Sequence, residues 1–259
     1  MAQAVNALAG RTALVTGASG GAGIDIAREL GRAGARVAVH YRSARVAAGR
    51  VVEEIRQEGG EADAFAADVS RSEDVRRLVS DVRERLGPPQ ILVNNAGPFN
   101  DRPLRVLDEG EWDYVMNANL KAVWLAAQLV APDMTRLGWG RIVNIGATSG
   151  FVRTHSVYGL AKAALLHLTE TLALELAPAI TVNAVVPSQI ASARTDTMPD
   201  YKAAAIAGTP LGRLVTAPEI ARMVVLVCSP EFDFVTGQAI VIDGGRTIPR
   251  FPRLDIAQE

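Results

Sequence analysis

Thiols are nearly absent from this sequence. Cys228 is the single cysteine, which excludes an internal disulfide and any thiolate cluster and suits a reducing compartment. The three histidines, His40, His155 and His167, stand at no zinc-ligand spacing, so no metal site is expected. An excess of one charge is lacking as well. With 27 Lys and Arg against 28 Asp and Glu the formal net charge is -1, and no basic run offers the footprint that nucleic acid or an anionic membrane surface requires. Long apolar runs are also missing. The longest uncharged stretch, Leu176 to Ala193, is interrupted by Pro178, Asn183, Pro187 and Gln189, and the N-terminal MAQAVNALAGR has no basic region followed by an apolar one. A cytoplasmic protein without a membrane span is expected.

What is present is a regular alternation. Hydrophobic residues at 49% and charged residues at 21% of 259 positions describe an ordinary globule with one sizeable core. Apolar runs read as short strands at Thr12 to Thr16, Arg36 to Tyr41, Ala62 to Ala67, Ile91 to Asn95, Arg141 to Gly146, Ile180 to Val186 and Ala239 to Asp243. Several are apolar on both faces, as buried parallel strands are. Helical patterns lie between them, at about residues 22–33, 44–58, 72–86, 109–137, 156–177 and 217–228. Repeated strand–helix units with right-handed crossovers predict an α/β fold, a doubly wound parallel sheet with helices on both faces. No linker or internal repeat divides the chain, so a single domain over 1–259 is expected.

Chemistry-bearing residues cluster where the strands end. The turn Thr16-Gly17-Ala18-Ser19-Gly20-Gly21-Ala22-Gly23 joins the first strand to the first helix, where backbone N–H groups and a helix N-terminus receive phosphates. A merely structural glycine loop would read the same. The second strand ends in His40-Tyr41-Arg42-Ser43, with Arg45 beyond. An arginine there suits a ribose 2′-phosphate and a carboxylate would suit a 2′-hydroxyl, though a solvated helix start is the plainer alternative. Asp68 is a partner for an adenine amine or a turn cap. Asn94-Asn95-Ala96-Gly97 offers amides beside a nicotinamide ribose, or a plain Asx turn. Tyr158 and Lys162 stand four residues apart, on one face of a helix. An ammonium beside a phenol favours the tyrosinate and lowers its pKa, which makes Tyr158 a proton donor to a carbonyl. An ordinary surface pair fits that spacing too.

Taken together, TGASGGAG, NNAG, Asn119 within NANL, YGLAK and GQAIVIDGG (Gly237 to Gly245) resemble, in order and distance, the short-chain dehydrogenase/reductase family over nearly the whole chain. The resemblance implies a seven-stranded Rossmann-like sheet of order 3-2-1-4-5-6-7. It implies a homotetramer or homodimer packed through the helices near 109–137 and 156–177. It also implies NADP(H) as cofactor, with NAD(H) second, and a small-molecule carbonyl substrate. Tyr158 would be the acid/base, Lys162 would hold the nicotinamide ribose, and Asn119 would bend its helix and anchor a water. The cofactor would be held by Gly17, Ser19, Gly21, Gly23, Arg42, Ser43, Asp68, Val69, Asn95, Ala96, Gly97, Pro187, Ser188, Ile190 and Ser192, with Tyr158 and Lys162.

Three departures stand out. The family's active-site serine falls on Ala147 of IGATSG, and a methyl donates no hydrogen bond. Ser149, Thr148, His155 or Ser156 are the candidate replacements, in a loop about two residues short of the family's usual length. Pro187-Ser188 stands where the family has Pro-Gly, with Ser192 where a Thr commonly contacts the carboxamide. Gly20 replaces a basic residue of many NADP-preferring members, which leaves Arg42 to read the phosphate. The stretch 188–214 is the expected substrate lid, and 246–259 a tail that is disordered or rests on a neighbouring subunit. Two functions fit: an NADP(H)-dependent carbonyl reductase or alcohol dehydrogenase, for which 3-oxoacyl thioesters, polyketides, steroids, sugars and pterins are all compatible substrates, or a catalytically weakened dinucleotide-binding sensor or partner protein on the same fold.

Overall fold

Each apolar run of the sequence becomes a strand of one parallel sheet in the computed structural model, which describes residues 7–152 and 154–248. The strands are β1 (Thr12–Val15), β2 (Arg36–Tyr41), β3 (Ala62–Ala66), β4 (Ile91–Asn94), β5 (Gly140–Ile145), β6 (Ile180–Pro187) and β7 (Ala239–Ile242). Their order is β3-β2-β1-β4-β5-β6-β7, so the chain reverses direction of travel between β1 and β4. The middle strands β1, β4, β5 and β6 are buried at every position, whereas β7 alternates exposed and half-buried at the sheet edge.

Alternation along the strands splits the core in two. Ala13, Val15, Val37, Val39, Ile91, Val93, Val143 and Ile145 pack on one side under α1 (Ala22–Arg32), α2 (Arg45–Gln57) and α9 (Ala217–Cys228). Leu14, Ala38, Leu92 and Ile142 face the other side, under α3 (Ser72–Leu86), α5 (Ala122–Arg136) and α6 (Val157–Leu176). In α1 the buried Ile26, Ala27 and Leu30 recur at three- and four-residue steps, the spacing of a single apolar helix face.

The helix expected over 109–137 is broken. It runs as α4 (Glu109–Met116), a π-helical turn over Asn117–Lys121, and then α5. Asn119 lies in the widened turn, and its amide donates back to Val115 O at 3.1 Å, supplying the inserted bond that a helix irregularity needs. The stretch 188–214 carries two short helices, α7 (Ala193–Asp196) and α8 (Pro199–Ala207). Of the tail, 249–259 lies outside the described residues.

Buried polar groups tie the sheet to α6. Asn94 donates to Asn144 Oδ1 at 2.9 Å, Asn144 donates to Thr169 Oγ1 at 3.0 Å, and Thr169 donates to Leu165 O at 2.8 Å. The chain crosses β4, β5 and α6 without leaving those groups unpaired, as burial demands. Ser156 caps α6 by accepting from Gly159 N.

A second polar tie involves His40, which the sequence shows only as a residue in an apolar strand. It is 1% exposed. Its Nδ1 accepts from Gly17 N at 2.9 Å and its Nε2 lies 3.0 Å from Ala67 O, so the ring is neutral with the proton on Nε2. Burial holds its pKa below the ordinary 6.5. The unfolded chain therefore takes up a proton at a pH where the fold refuses it, and stability present above 6.5 is lost as pH falls. We expect His40→Leu to cost about 1–3 kcal/mol at neutral pH by stranding Gly17 N–H and Ala67 C=O. Urea melts between about pH 7.5 and 5.5 should show a steeper loss in the parent than in the variant. Equal slopes would mean that His40 is not the source.

Candidate active site

The glycine-rich turn is shaped by what surrounds it at the carboxyl ends of β1 and β4. Thr16 Oγ1 accepts from the backbone N–H of Asn95 and of Ala96, at 2.9 and 3.0 Å. The Asn95 amide donates in return to Thr16 O and Gly17 O, at 2.9 and 3.2 Å. The loops press so closely that a Cβ on Gly23 would lie 2.2 Å from Gly17 O. Gly17 adopts φ 68 and has Ala96 Cα only 3.0 Å from where a Cβ would stand, so glycine is needed there on both counts. A Cβ on Gly20 or Gly21 would meet nothing within 4 Å, which leaves the outer side of the turn open to a ligand.

Over that turn runs a cleft of about 490 Å³, a size usual for small-molecule sites. Gly17, Ser19 and Gly21 line its end at the glycine turn. Arg42, Asp68 and Val69 line the end near β2 and β3. The Arg42 guanidinium donates to the Tyr114 phenol and lies over that ring at 5.6 Å. Asp68 is a turn cap as well as a wall residue, since its Oδ1 accepts from Ser70 N and Oγ at 3.0 and 2.7 Å. Asn95, Ala96 and Gly97 continue the wall towards Tyr158 and Lys162 on α6, and Pro187, Ser188 and Ile190 close it from β6.

Tyr158 is half-buried, with Phe99 edge-on at 5.1 Å and the guanidinium of Arg194 over the other ring, Phe99, at 5.0 Å. Lys162 is 5% exposed. Its Nζ donates to Ile145 O at 2.8 Å and lies 5.5 Å from the Tyr158 ring centre. Burial pushes the phenol up to about 12 and the ammonium down to about 8. The sequence reading anticipates a lowered phenol pKa. In the protein alone desolvation outweighs the ion–phenol attraction, because no hydrogen bond joins Nζ to the phenol oxygen.

Asn119 sits behind this wall, 1% exposed. Its Nδ2 donates to Val115 O and Pro98 O at 3.1 Å each, while its buried Oδ1 has no partner among the described residues. Gly97 accommodates it, since a Cβ there would lie 2.2 Å from that oxygen. Gly23 lies buried beneath the turn rather than on the cleft wall, Ser43 is exposed to one side, and Ser192 is taken up in a capping box with Thr195. Thr148 and Ser149 form a 3₁₀ turn off the wall, where the Ser149 hydroxyl is buried without a partner among the described residues. The wall position beside them is Ala147. Among the wall residues that sequence reasoning passed over are His40 and Tyr114. A histidine inside an apolar strand must find hydrogen-bond partners, which is a usable signal. Tyr114 has none, because only folding brings α4 to the end of β2.

These residues suit a dinucleotide. The open glycine turn presents backbone N–H groups to phosphates, Arg42 provides a positive charge at one end, and Lys162 has two ammonium donors beyond the one given to Ile145. No group of three or more metal-ligating side chains occurs among the described residues, and none of their helices is long and apolar enough to cross a membrane.

Residues 17–247 match a family model described as enoyl-(acyl carrier protein) reductase. The 3-oxoacyl-[acyl-carrier-protein] reductase FabG of Pseudomonas aeruginosa is 39% identical over 242 residues, covering 92% of this chain and 98% of that protein. A short-chain type dehydrogenase/reductase from Mycobacterium marinum superposes with a TM-score of 0.88 at 34% identity, covering 95% of this chain and 99% of the other. A gluconate 5-dehydrogenase from Burkholderia cenocepacia, solved with NADP and tartrate, superposes with a TM-score of 0.87 at 31% identity over 94% and 97% of the two chains. With the sheet order, the glycine turn and the Tyr158–Lys162 pair in one cleft, these likenesses settle the family: the chain belongs to the short-chain dehydrogenase/reductases and is an oxidoreductase.

Proposed function

We propose that this cleft reduces the keto group of a 3-oxoacyl thioester to the secondary alcohol, with Tyr158 as proton donor. The chain is an NADP(H)-dependent oxidoreductase acting on a carbonyl or secondary alcohol. The observation that carries the reading is the placement of Tyr158 and Lys162 on the same wall as the open glycine turn. The choice of acyl thioester rests on the likeness to the Pseudomonas reductase over 98% of its length. A sensor that binds the dinucleotide without turnover is not favoured, because it has no use for a buried acid and amine on that wall.

NADPH, when bound, supplies the hydride. Arg42 would pair with the 2′-phosphate, the N–H groups of the glycine turn would take the pyrophosphate, and Lys162 would offer its two remaining donors to the ribose. A phenol near 12 is protonated at neutral pH, the state required of an acid. Tyr158 gives that proton to the substrate oxygen, and the Lys162 charge stabilises the tyrosinate left behind. The unpartnered Oδ1 of Asn119 suits an ordered water that returns a proton to the site. In this reading the protein assembles as a homodimer or homotetramer through α4, α5 and α6. Support comes from Trp124, Leu160 and Leu174, which are 43%, 46% and 85% exposed, an apolar surface that a monomer leaves in water.

Three outcomes are expected. Tyr158→Phe should lower turnover of acetoacetyl thioesters by about 10²–10⁴-fold with NADPH affinity retained, and Lys162→Ala should lose both. Full activity of the Phe variant, or oxidation of NADPH with an enoyl thioester alone, would refute the reading. Arg42→Asp should weaken NADPH binding by about 1.5–3 kcal/mol and leave NADH equal or tighter in fluorescence titration. An unchanged preference would assign the phosphate to another residue. Light scattering should return twice or four times the 27.5 kDa chain mass, and a monomer would contradict the assembly.

A further inference from the structure

A carbonyl oxygen gains negative charge as hydride reaches its carbon, and each positioned donor aimed at it stabilises that charge. Tyr158 is one donor. Beside it the wall offers the Ala147 methyl, which donates nothing. We propose that the second donor is the hydroxyl of Ser188, at the end of the neighbouring strand, so that Ser188 is a catalytic residue that touches the substrate oxygen. This rests on the reductase reading.

The inventory of hydroxyls leaves few alternatives. Side-chain hydroxyls on the cleft wall belong to Ser19, Tyr114, Tyr158 and Ser188. Ser19 lies on the glycine turn, and the Tyr114 phenol is engaged by Arg42. Ser156, near Tyr158 in sequence, is used as the cap of α6 and lies 3.2 Å from Thr154 Oγ1. Ser188 makes no hydrogen bond within the described chain, so its proton is available.

Its placement follows from the sheet. Ile145 pairs with Val185, and Gly146 N donates to Val185 O at 2.8 Å, so β5 and β6 leave the sheet side by side at the usual spacing of about 4.8 Å. Continuing that register brings Ala147 beside Pro187, with Ser188 next. Both ends of the Ser188 segment are anchored. Pro187 is in register with Ile242 of β7, and Ile190 bridges to Val215, whose carbonyl accepts from Ala191 N at 2.8 Å. A donor on so constrained a backbone needs little reorganisation as charge develops.

The test uses the full-length protein with NADPH and an acetoacetyl thioester, in Ser188→Ala, Ala147→Ser, the double variant and Tyr158→Phe. Ser188→Ala should lower kcat at saturating NADPH by about 10²–10³-fold, with the thermal midpoint unchanged. Ala147→Ser in the Ser188→Ala background should recover most of that loss, because it returns a hydroxyl from the adjacent strand. If Ser188→Ala keeps its kcat, or loses only NADPH affinity, while Tyr158→Phe is inactive, the inference falls and the reductase reading stands. If the parent reduces no ketone at all, both fall.

Discussion

The hydroxyl of Thr16 is where the site is held together. It accepts two backbone N–H groups from the turn after β4, and Asn95 answers by closing on the carbonyls of Thr16 and Gly17. Each such bond contributes only about 0.5–1.5 kcal/mol net. Their effect is geometric. The two loops lie against each other with no room for a side chain on Gly17 or Gly23, and the glycine turn is held against the cleft wall that follows β4. His40 adds a third strand to the tie, through Gly17 N on one side and Ala67 O on the other.

The same logic governs α6. Its start is placed by the Ser156 cap, its middle by the Asn94–Asn144–Thr169 chain, and its reactive face by the bond from Lys162 to Ile145 O. A buried ammonium is costly unless it is well bonded. One carbonyl does not suffice, so burial displaces Lys162 towards its neutral form, and burial of the phenol itself displaces Tyr158 away from its charged one. The Lys162 ammonium keeps two donors beyond the one given to Ile145 O.

Much of the molecule was legible from pattern. All seven strands and their order follow from apolar runs at sheet-forming length together with the family resemblance, and every strand falls within a residue or two of its expected bounds. The helix over 109–137 was legible from its pattern, and its irregularity at Asn119 only through the family resemblance. Its π turn arises from the Asn119 amide bonding to Val115 O and Pro98 O, and Pro98 is a partner from another part of the chain. The short helices α7 and α8 escaped notice because a helix of one or two turns has too few residues to show a period.

By itself the sequence determined the chemistry on offer: a glycine turn, an arginine after β2, a phenol and an amine one helical turn apart, and a methyl at Ala147. Those are local properties, set by residue type and spacing. Tertiary structure alone decided which of these groups share a wall. It moved Thr148 and Ser149 off the cleft, occupied Ser156 in a helix cap, left Ser188 on the wall, and brought Tyr114 to Arg42. It also reversed the expected direction of the Tyr158 pKa. The physical reason is common to all of these outcomes: burial and hydrogen-bond partnership depend on residues distant in the chain, and spacing along one segment does not report them.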